Sequence, residues 1–145
     1  MDARGIMDAN RYMVIATADA RGVPWVSPVW FATDDYRELV WVSRPGTRHS
    51  QNIGARPDVA IVVFDSQVPP GSAQAVYVSA RAEEIPTGEI ERGLEVFNRG
   101  SEEQGLRRWM LDDVQPPGEF RLYRATATEH FLLGPHDDRL PIQVG

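Results

Sequence analysis

The residues best suited to chemistry lie between Val40 and Asn52, in the segment VWVSRPGTRHSQN. An apolar strand leads here into a Gly-containing turn and then into a helix start, where Thr47 is a good N-cap and is followed by Arg48 and His49. The first turn of a helix already carries about half a positive charge, so cations there cost roughly 0.3–1 kcal/mol each unless an anion lies among them. Because the free N–H groups of a helix start bind phosphate well, the segment predicts a phosphate-binding site.

The charges around this segment agree with such a site. No Asp or Glu occurs between Leu39 and Pro57, although the chain has 21 acidic residues against 15 Lys plus Arg. The cationic residues that we expect to cluster around the helix start are Arg44, Arg48, His49 and Arg56. The alternative is a solvated basic loop, since charge and motif matches of this kind also arise without a ligand.

Composition narrows the class of protein. A chain of 145 residues, 42% hydrophobic and 25% charged, fits a single domain over residues 1–145 with a sizeable core. The net charge of −6 disfavours nucleic acid as a partner, because a phosphate backbone attracts a basic surface. The chain has no Cys, which excludes disulfides and thiolate sites. The N-terminal segment carries charges where a secretory signal is apolar, and no apolar run approaches membrane-spanning length, so we expect a cytoplasmic protein with no membrane partner.

Short apolar segments separated by turn signals predict an antiparallel sheet that positions the helix start. The predicted strands are Tyr12 to Ala18, Pro24 to Thr33, Glu38 to Ser43, Val59 to Phe64, Ala75 to Ile85 and about Phe120 to Leu133. The predicted helices are about Thr47 to Ala55, Thr87 to about Asn98, and Ser101 to near Leu111, where Ser-Glu-Glu-Gln fits a capping box.

Three of these strands are apolar on both faces: Tyr12 to Ala18, Leu39 to Val42 and Val59 to Phe64. Hairpin-connected antiparallel strands usually have one polar, solvated face. The two helices between Thr87 and Leu111 cannot cover a six-stranded sheet that closes on itself, so we infer a small barrel buried partly against a second subunit. The alternative is that the local helices and the N-terminal segment cover these faces.

The sequence lacks the motifs of hydrolytic enzymes. It contains no HExxH, GxSxG, Walker or GxGxxG motif and only three histidines. His136-Asp137-Asp138, with His130 upstream, is better explained as a solvated polar tail than as a metal site, so we expect no metal. A predicted phosphate pocket without a nucleophile or metal cluster suits a protein that holds a cofactor, which then supplies the chemistry.

The segment from Leu39 to Phe64, with VPWVSPVWF before it and AVYVSARAEEI after it, resembles the pyridoxamine 5′-phosphate oxidase-like, FMN-binding split β-barrel superfamily. The match in order and spacing covers about residues 12 to 85. The resemblance implies a mainly β (α+β) fold, a six-stranded antiparallel split β-barrel with a few flanking helices. It also implies a homodimer with two FMN molecules at the interface.

The resemblance further implies which residues bind the cofactor. The segment Thr47-Arg48-His49 stands where the family has its phosphate-binding Ser-Arg-Lys, and Ser27 to Trp30 would line the flavin ring. Gln74, and Trp109 from the other subunit, are the nearest candidates to complete the site. The full predicted set is Ser27, Pro28, Val29, Trp30, Val42, Ser43, Thr47, Arg48, His49, Gln74 and Trp109.

The chain departs from the family pattern at three places. His49 replaces the usual Lys, and Ala80 replaces a common Gly. The ending HDDRLPIQVG lacks the Trp-containing, Arg-rich end with which vitamin B6 oxidases hold their substrate, so pyridoxamine phosphate is not the expected substrate. The sequence therefore predicts an FMN-dependent oxidoreductase that acts on a small molecule. The alternatives are a deazaflavin-dependent reductase and a non-catalytic flavin- or haem-binding protein.

Overall fold

The computed structural model describes residues 1–144. This part of the chain contains eight strands and three α-helices. The strands are β1 Tyr12–Ala18, β2 Pro24–Trp30, β3 Ala32–Asp34, β4 Glu38–Ser43, β5 Asp58–Phe64, β6 Ala75–Glu84, β7 Arg121–Leu133 and β8 Arg139–Ile142. The helices are α1 Ala3–Ala9, α2 Arg48–Ala55 and α3 Ile90–Glu103, with short 3-10 turns at Thr87–Glu89 and Leu111–Asp113. None of these helices is long and apolar enough to cross a membrane.

The sheet closes because one stretch of chain belongs to two ladders. The strand order is β2-β1-β5-β6-β7-β4-β3, all antiparallel, and β2 and β3 are separated only by Phe31. Before Phe31 the chain pairs with β1, and after it the chain pairs with β4. The ladder thus begins and ends on the same segment. The split β-barrel is confirmed, with β2 and β3 in place of the single strand predicted from Pro24 to Thr33. An additional strand, β8, pairs with β7 and was not predicted.

The barrel interior is filled by alternate residues of the strands, as expected for a period of two. Met13, Ile15, Leu39 and Trp41 have no exposed surface. Helix α1, which was not predicted, contributes Ile6 and Met7 to the same core, and its Asp2 cap accepts a hydrogen bond from the Gly5 N–H at 2.9 Å. Burying each such large apolar side chain contributes about 1.5–3 kcal/mol.

Helix α3 covers the outer face of β3 and β4. Its apolar stripe, which includes Leu94 and Phe97, packs with Val40 and Leu122 in a second core cluster. Val40 lies in a strand that is apolar on both faces, and it is fully buried within the chain. For β4, therefore, a local helix supplies the cover that was expected from a second subunit.

The predicted second helix from Ser101 to Leu111 is wrong. Ser101 lies inside α3, which ends at Glu103, and Gly105, two residues later, has a φ of +71°, the left-handed conformation that favours glycine. The Gly105 N–H donates to the Glu102 carbonyl at 3.0 Å and the Leu106 N–H donates to the Ser101 carbonyl at 2.9 Å. These paired bonds terminate the helix, and residues 106–110 have no regular secondary structure.

The outer face of β1, β2 and β5 has no cover among the described residues. Pro28, Val14, Val62 and Tyr77 lie side by side across β2, β1, β5 and β6, and none of them is fully buried. In the neighbouring row, Val26 is 64% exposed. A continuous apolar face of this kind is typical of an interaction surface.

Candidate functional site

The candidate site lies in the split of the barrel, between β2 and β4. Strand β3 pairs with β4 only as far as Val40, so Trp41 to Ser43 have a ladder partner on one side only, which is β7. A cavity of about 630 Å³ lies beside this free edge. Its lining residues are Tyr12, Pro28, Val29, Trp30, Val42, Ser43, His49, Phe97, Ser101, Leu106, Arg107, Trp109 and Phe120.

Helix α2 begins beside this cavity. The turn from Arg44 to Thr47 is closed by a hydrogen bond from the Thr47 N–H to the Arg44 carbonyl at 3.2 Å. Thr47 is the N-cap, and its Oγ1 accepts a bond from the Ser50 N–H at 3.3 Å. The N–H groups of Arg48 and His49 precede the first intrahelical bond and have no acceptor among the described residues. These two N–H groups give α2 the free donors that an anion requires.

His49 and Ser43 form a buried polar pair in the cavity wall. The His49 Nε2 lies 2.9 Å from the Ser43 Oγ and 3.4 Å from the Thr47 Oγ1. No carboxylate lies among the residues lining the cavity, and burial lowers the pKa of the His49 imidazole below its ordinary value. The ring is therefore neutral at neutral pH in the chain without a ligand, and an anion bound beside it would favour the protonated form.

A row of aromatic rings forms another part of the cavity wall. Trp30 contacts Phe97 edge to face at 5.1 Å between centroids, Phe97 contacts Trp109 at 5.9 Å, and Trp109 contacts Phe120 at 5.4 Å. The Trp30 Nε1 donates to the Gln104 Oε1 at 3.0 Å. The wall is apolar, with the Trp30 indole N–H satisfied, and suits a flat conjugated molecule.

Trp109 is held in this wall by its backbone. Asn98, which is 1% exposed, donates from Nδ2 to the Trp109 carbonyl at 2.9 Å, and its Oδ1 accepts from the Trp109 N–H at 2.8 Å. Trp109 lines the cavity of its own chain, together with Ser43 and His49. Within one chain, Trp109 therefore lies beside the split of its own barrel, and the expectation that it reaches the site of the other subunit stays a prediction.

The sequence matches the family model for pyridoxamine 5′-phosphate oxidase over residues 2–133. The chain belongs to this family. Among proteins with curated functions, none matches the sequence significantly.

Solved structures with the same fold include two proteins whose names mention haem. A haem-binding protein from Mycobacterium smegmatis has a TM-score of 0.75 at 15% identity, covering 97% of this chain and 56% of that one. HutZ, the haem storage protein of Vibrio cholerae, has a TM-score of 0.66 at 19% identity, covering 86% of each chain. ChuZ of Campylobacter jejuni has a TM-score of 0.73 at 15% identity, covering 97% of this chain and 57% of that one. The chain thus spans little more than half the length of the first and third, and at these identities the likeness shows the fold alone.

Most of the residues that the family resemblance assigns to FMN lie around the split. The predicted residues that line the cavity are Pro28, Val29, Trp30, Val42, Ser43, His49 and Trp109. Thr47 caps the adjoining helix. Ser27 is half-buried opposite Ile15 and does not line the cavity, and Gln74 is exposed just before β6. Within one chain, the cavity therefore gathers seven of the eleven predicted positions, and its lining does not include Ser27, Thr47, Arg48 or Gln74.

The expected cluster of four cations around α2 is wrong. The Arg48 guanidinium lies over the ring of Trp25 at 4.5 Å from its centroid. Arg44 lies 3.5 Å from the Glu119 carboxylate and 4.9 Å from the Phe120 centroid. Arg56 is at the C-terminal end of α2 and donates to the Ala20 carbonyl at 2.9 Å. Each of the three arginines therefore contacts another group of the chain. The groups that remain to bind an anion at the start of α2 are His49 and the two free backbone N–H groups.

Several lining residues were not predicted from the sequence: Tyr12, Phe97, Ser101, Leu106, Arg107 and Phe120. Phe97 lies on the apolar stripe of a helix, which is the pattern of a core residue. The segment from Leu106 to Phe120 has no periodicity that could place it. The only sequence feature that could have indicated a cavity wall here is the presence of Trp109 and Phe120. Aromatic residues are equally typical of ordinary core packing.

Proposed function

We propose that this protein is an FMN-dependent oxidoreductase whose flavin lies in the split of the barrel. The observation that carries the proposal is the joint position of two features: the free N–H groups at the start of α2, with the Ser43–His49 pair, adjoin the apolar cavity between β2 and β4. A flavin mononucleotide needs both, an anion site for its phosphate and a flat apolar slot for its ring.

The phosphate would be held at the start of α2. The backbone N–H groups of Arg48 and His49 would donate to the phosphate. The Ser43 and Thr47 hydroxyls lie beside the His49 imidazole, at the same end of the helix. Arg48 is exposed and could leave Trp25 to contact the phosphate, since an exposed cation–π contact contributes only about 0.5–1 kcal/mol. Charge-assisted bonds to phosphate are stronger than this contact.

The ring would be held between β2 and the aromatic wall. Up to Trp30, β2 has a ladder partner on one side only, so its other edge offers backbone groups to a ligand. Pro28 lacks an N–H but keeps its carbonyl, and Trp30 and Trp109 exclude water. When bound, the flavin supplies hydride acceptance and electron transfer to oxygen or an organic acceptor. The chain supplies orientation, the phosphate anchor and an apolar surround.

A second copy of the chain is the proposed partner. Pro28 and Tyr12 line the cavity and also belong to the uncovered face of β1, β2 and β5. A subunit packed on that face would border the cavity, and its Gln74 is the candidate to reach the flavin. The apolar row from Pro28 to Tyr77 supports this arrangement.

A haem-binding protein is the second candidate function. Two of the three similar structures cited above carry haem in their names, and His49 places an imidazole in an apolar cavity. Iron ligation by the Nε2 would require loss of its 2.9 Å contact with Ser43, which is why the flavin proposal is preferred.

The absorption spectrum of the purified protein separates these functions. A bound flavin gives the oxidised flavin bands, whereas a deazaflavin or a haem gives its own distinct bands. If flavin is bound, bleaching on addition of NADH or NADPH under anaerobic conditions supports an oxidoreductase. A flavin that cannot be reduced by either nucleotide or by any tested substrate would point to a carrier, and a haem spectrum alone would overturn the flavin proposal.

A further inference from the structure

One cationic side chain in the cavity wall is not used by the phosphate site. Arg107 lies in the irregular segment after α3 and lines the same cavity as Ser43 and His49. No Asp or Glu is among the described residues that line this cavity. A cation on an otherwise apolar and aromatic wall favours an anionic group in the ligand.

The guanidinium of Arg107 can donate hydrogen bonds to an anionic group of a ligand. It makes no hydrogen bond to the described residues, and its nearest carboxylate oxygen, the Asp113 Oδ2, is 3.6 Å away. That oxygen already accepts a bond from the Met110 N–H at 2.8 Å. An exposed pair at this distance contributes little to stability, so a ligand carboxylate can compete with it.

The backbone around Arg107 is fixed by buried side chains of α3. The Ser101 Oγ, which is buried, donates to the Arg107 carbonyl at 2.7 Å, and Asn98 clamps both backbone groups of Trp109. The guanidinium also stacks over the Trp109 ring at 3.9 Å from its centroid. Arg107 is thus held against the aromatic wall while its donor fork stays open.

We propose that Arg107 recognises the carboxylate of a planar, conjugated substrate, whose body lies at the Arg107 end of the cavity beside Leu106 and leaves Trp30 and Phe97 to the flavin ring. A bidentate guanidinium–carboxylate contact provides both the attraction and the orientation. The inference rests on the proposed function, because the flavin would occupy the part of the cavity near α2 and leave the Arg107 side for the substrate.

The test compares two ligands that differ only in charge, 2-naphthoate and its neutral amide, 2-naphthamide. Binding is followed by the visible spectrum of the FMN-loaded protein and by tryptophan fluorescence of the protein without FMN. We expect the carboxylate to bind about ten-fold or more tightly than the amide. Arg107→Gln should abolish this preference, whereas Arg107→Lys should retain part of it.

Arg108→Gln is the matched control. Arg108 is similarly exposed, but it is paired with the Glu102 carboxylate at 2.9 Å and lines a different groove. Its loss should leave the preference for naphthoate unchanged. Equal binding of naphthoate and naphthamide, no binding of either, or a preference that survives Arg107→Gln would each overturn the inference. An Arg107-dependent preference in a protein that does not bind FMN would instead overturn the proposed function and leave the anion site standing.

Discussion

The Nε2 of His49 lies 2.9 Å from the Oγ of Ser43, and this contact joins the first turn of α2 to the end of β4. The imidazole replaces a Lys of the family pattern, so the group beside the predicted phosphate changes its charge near neutral pH. Burial lowers the pKa of His49 in the ligand-free chain, whereas a phosphate dianion would raise it. Two predictions follow from this opposition.

The first prediction is that FMN affinity decreases as pH rises. If the bound phosphate raises the pKa of His49, the complex takes up a proton on binding, and the charge-assisted bond disappears when the ring becomes neutral. The second ionisation of the phosphate, at about pH 6, acts in the opposite direction and is complete at lower pH. The measurement is the FMN dissociation constant between about pH 6.5 and 9. The His49→Lys variant should retain tight binding at the alkaline end, and identical profiles for the two proteins would mean that His49 does not contact the phosphate.

The second prediction concerns the protein without FMN. A His whose folded pKa is lowered binds its proton more readily in the unfolded chain, so its contribution to stability is complete above the unfolded pKa and is lost as pH falls through the folded pKa. The melting temperature of the FMN-free protein should therefore fall on acidification below about pH 6.5. His49→Gln keeps a side-chain nitrogen for Ser43 but cannot titrate, and it should flatten the part of this profile that His49 causes. An unchanged slope would assign the acid sensitivity to other groups.

The third prediction is that Arg48→Ala weakens FMN binding about ten- to over a hundred-fold. A charge-assisted bond to phosphate contributes about 1.5–3 kcal/mol. Stability without FMN should change little, because Arg48 is exposed and its cation–π contact with Trp25 contributes only about 0.5–1 kcal/mol. Arg56→Ala is the control, since Arg56 lies at the other end of α2 and should leave the FMN affinity unaltered. An unchanged dissociation constant for Arg48→Ala would show that the guanidinium stays on Trp25.

The fourth prediction is that the FMN-loaded protein is a dimer at micromolar concentration. Sedimentation should give twice the chain mass of 16.2 kDa, because a monomer would leave the apolar face of β1, β2 and β5 in water. Val26→Lys places a charge on that face and should shift the protein toward monomer. Val23→Lys changes an exposed residue of the adjoining turn, outside the face, and should not. A wild-type monomer would also remove the proposed role of Gln74.

Local signals in the sequence were sufficient for the elements that carry the phosphate site. The bounds of β1 and β4 and the Thr47 cap of α2 were predicted correctly, because alternation, turn residues and an N-cap act over a few residues. The division of one strand into β2 and β3 at Phe31 was not predicted. It arises because the chain pairs with β1 before Phe31 and with β4 after it, and no local pattern encodes this change of partner. The capping box at Ser101 was a false signal, because Ser101 lies inside α3, which continues to Glu103.

The rest of the candidate site depends on contacts between distant parts of the chain. The directions of Arg44, Arg48 and Arg56 are set by Glu119, Trp25 and Ala20, which no local pattern connects to α2. In the same way, Phe97, Trp109 and Phe120 form one wall only because α3 and the segment after it pack on the split. The aromatic residue types indicated that these side chains pack together, but they did not indicate that the packed rings line a cavity.

The most direct test of the central claim, a flavin held in the split with its phosphate on α2, compares FMN with riboflavin. The two ligands share the ring and differ in the phosphate, so their affinity ratio measures the phosphate site alone. Titration of the FMN-free protein, followed by flavin fluorescence, should show FMN binding at least about ten-fold more tightly than riboflavin. Equal affinities for FMN and riboflavin, or no binding of FMN, would contradict this account.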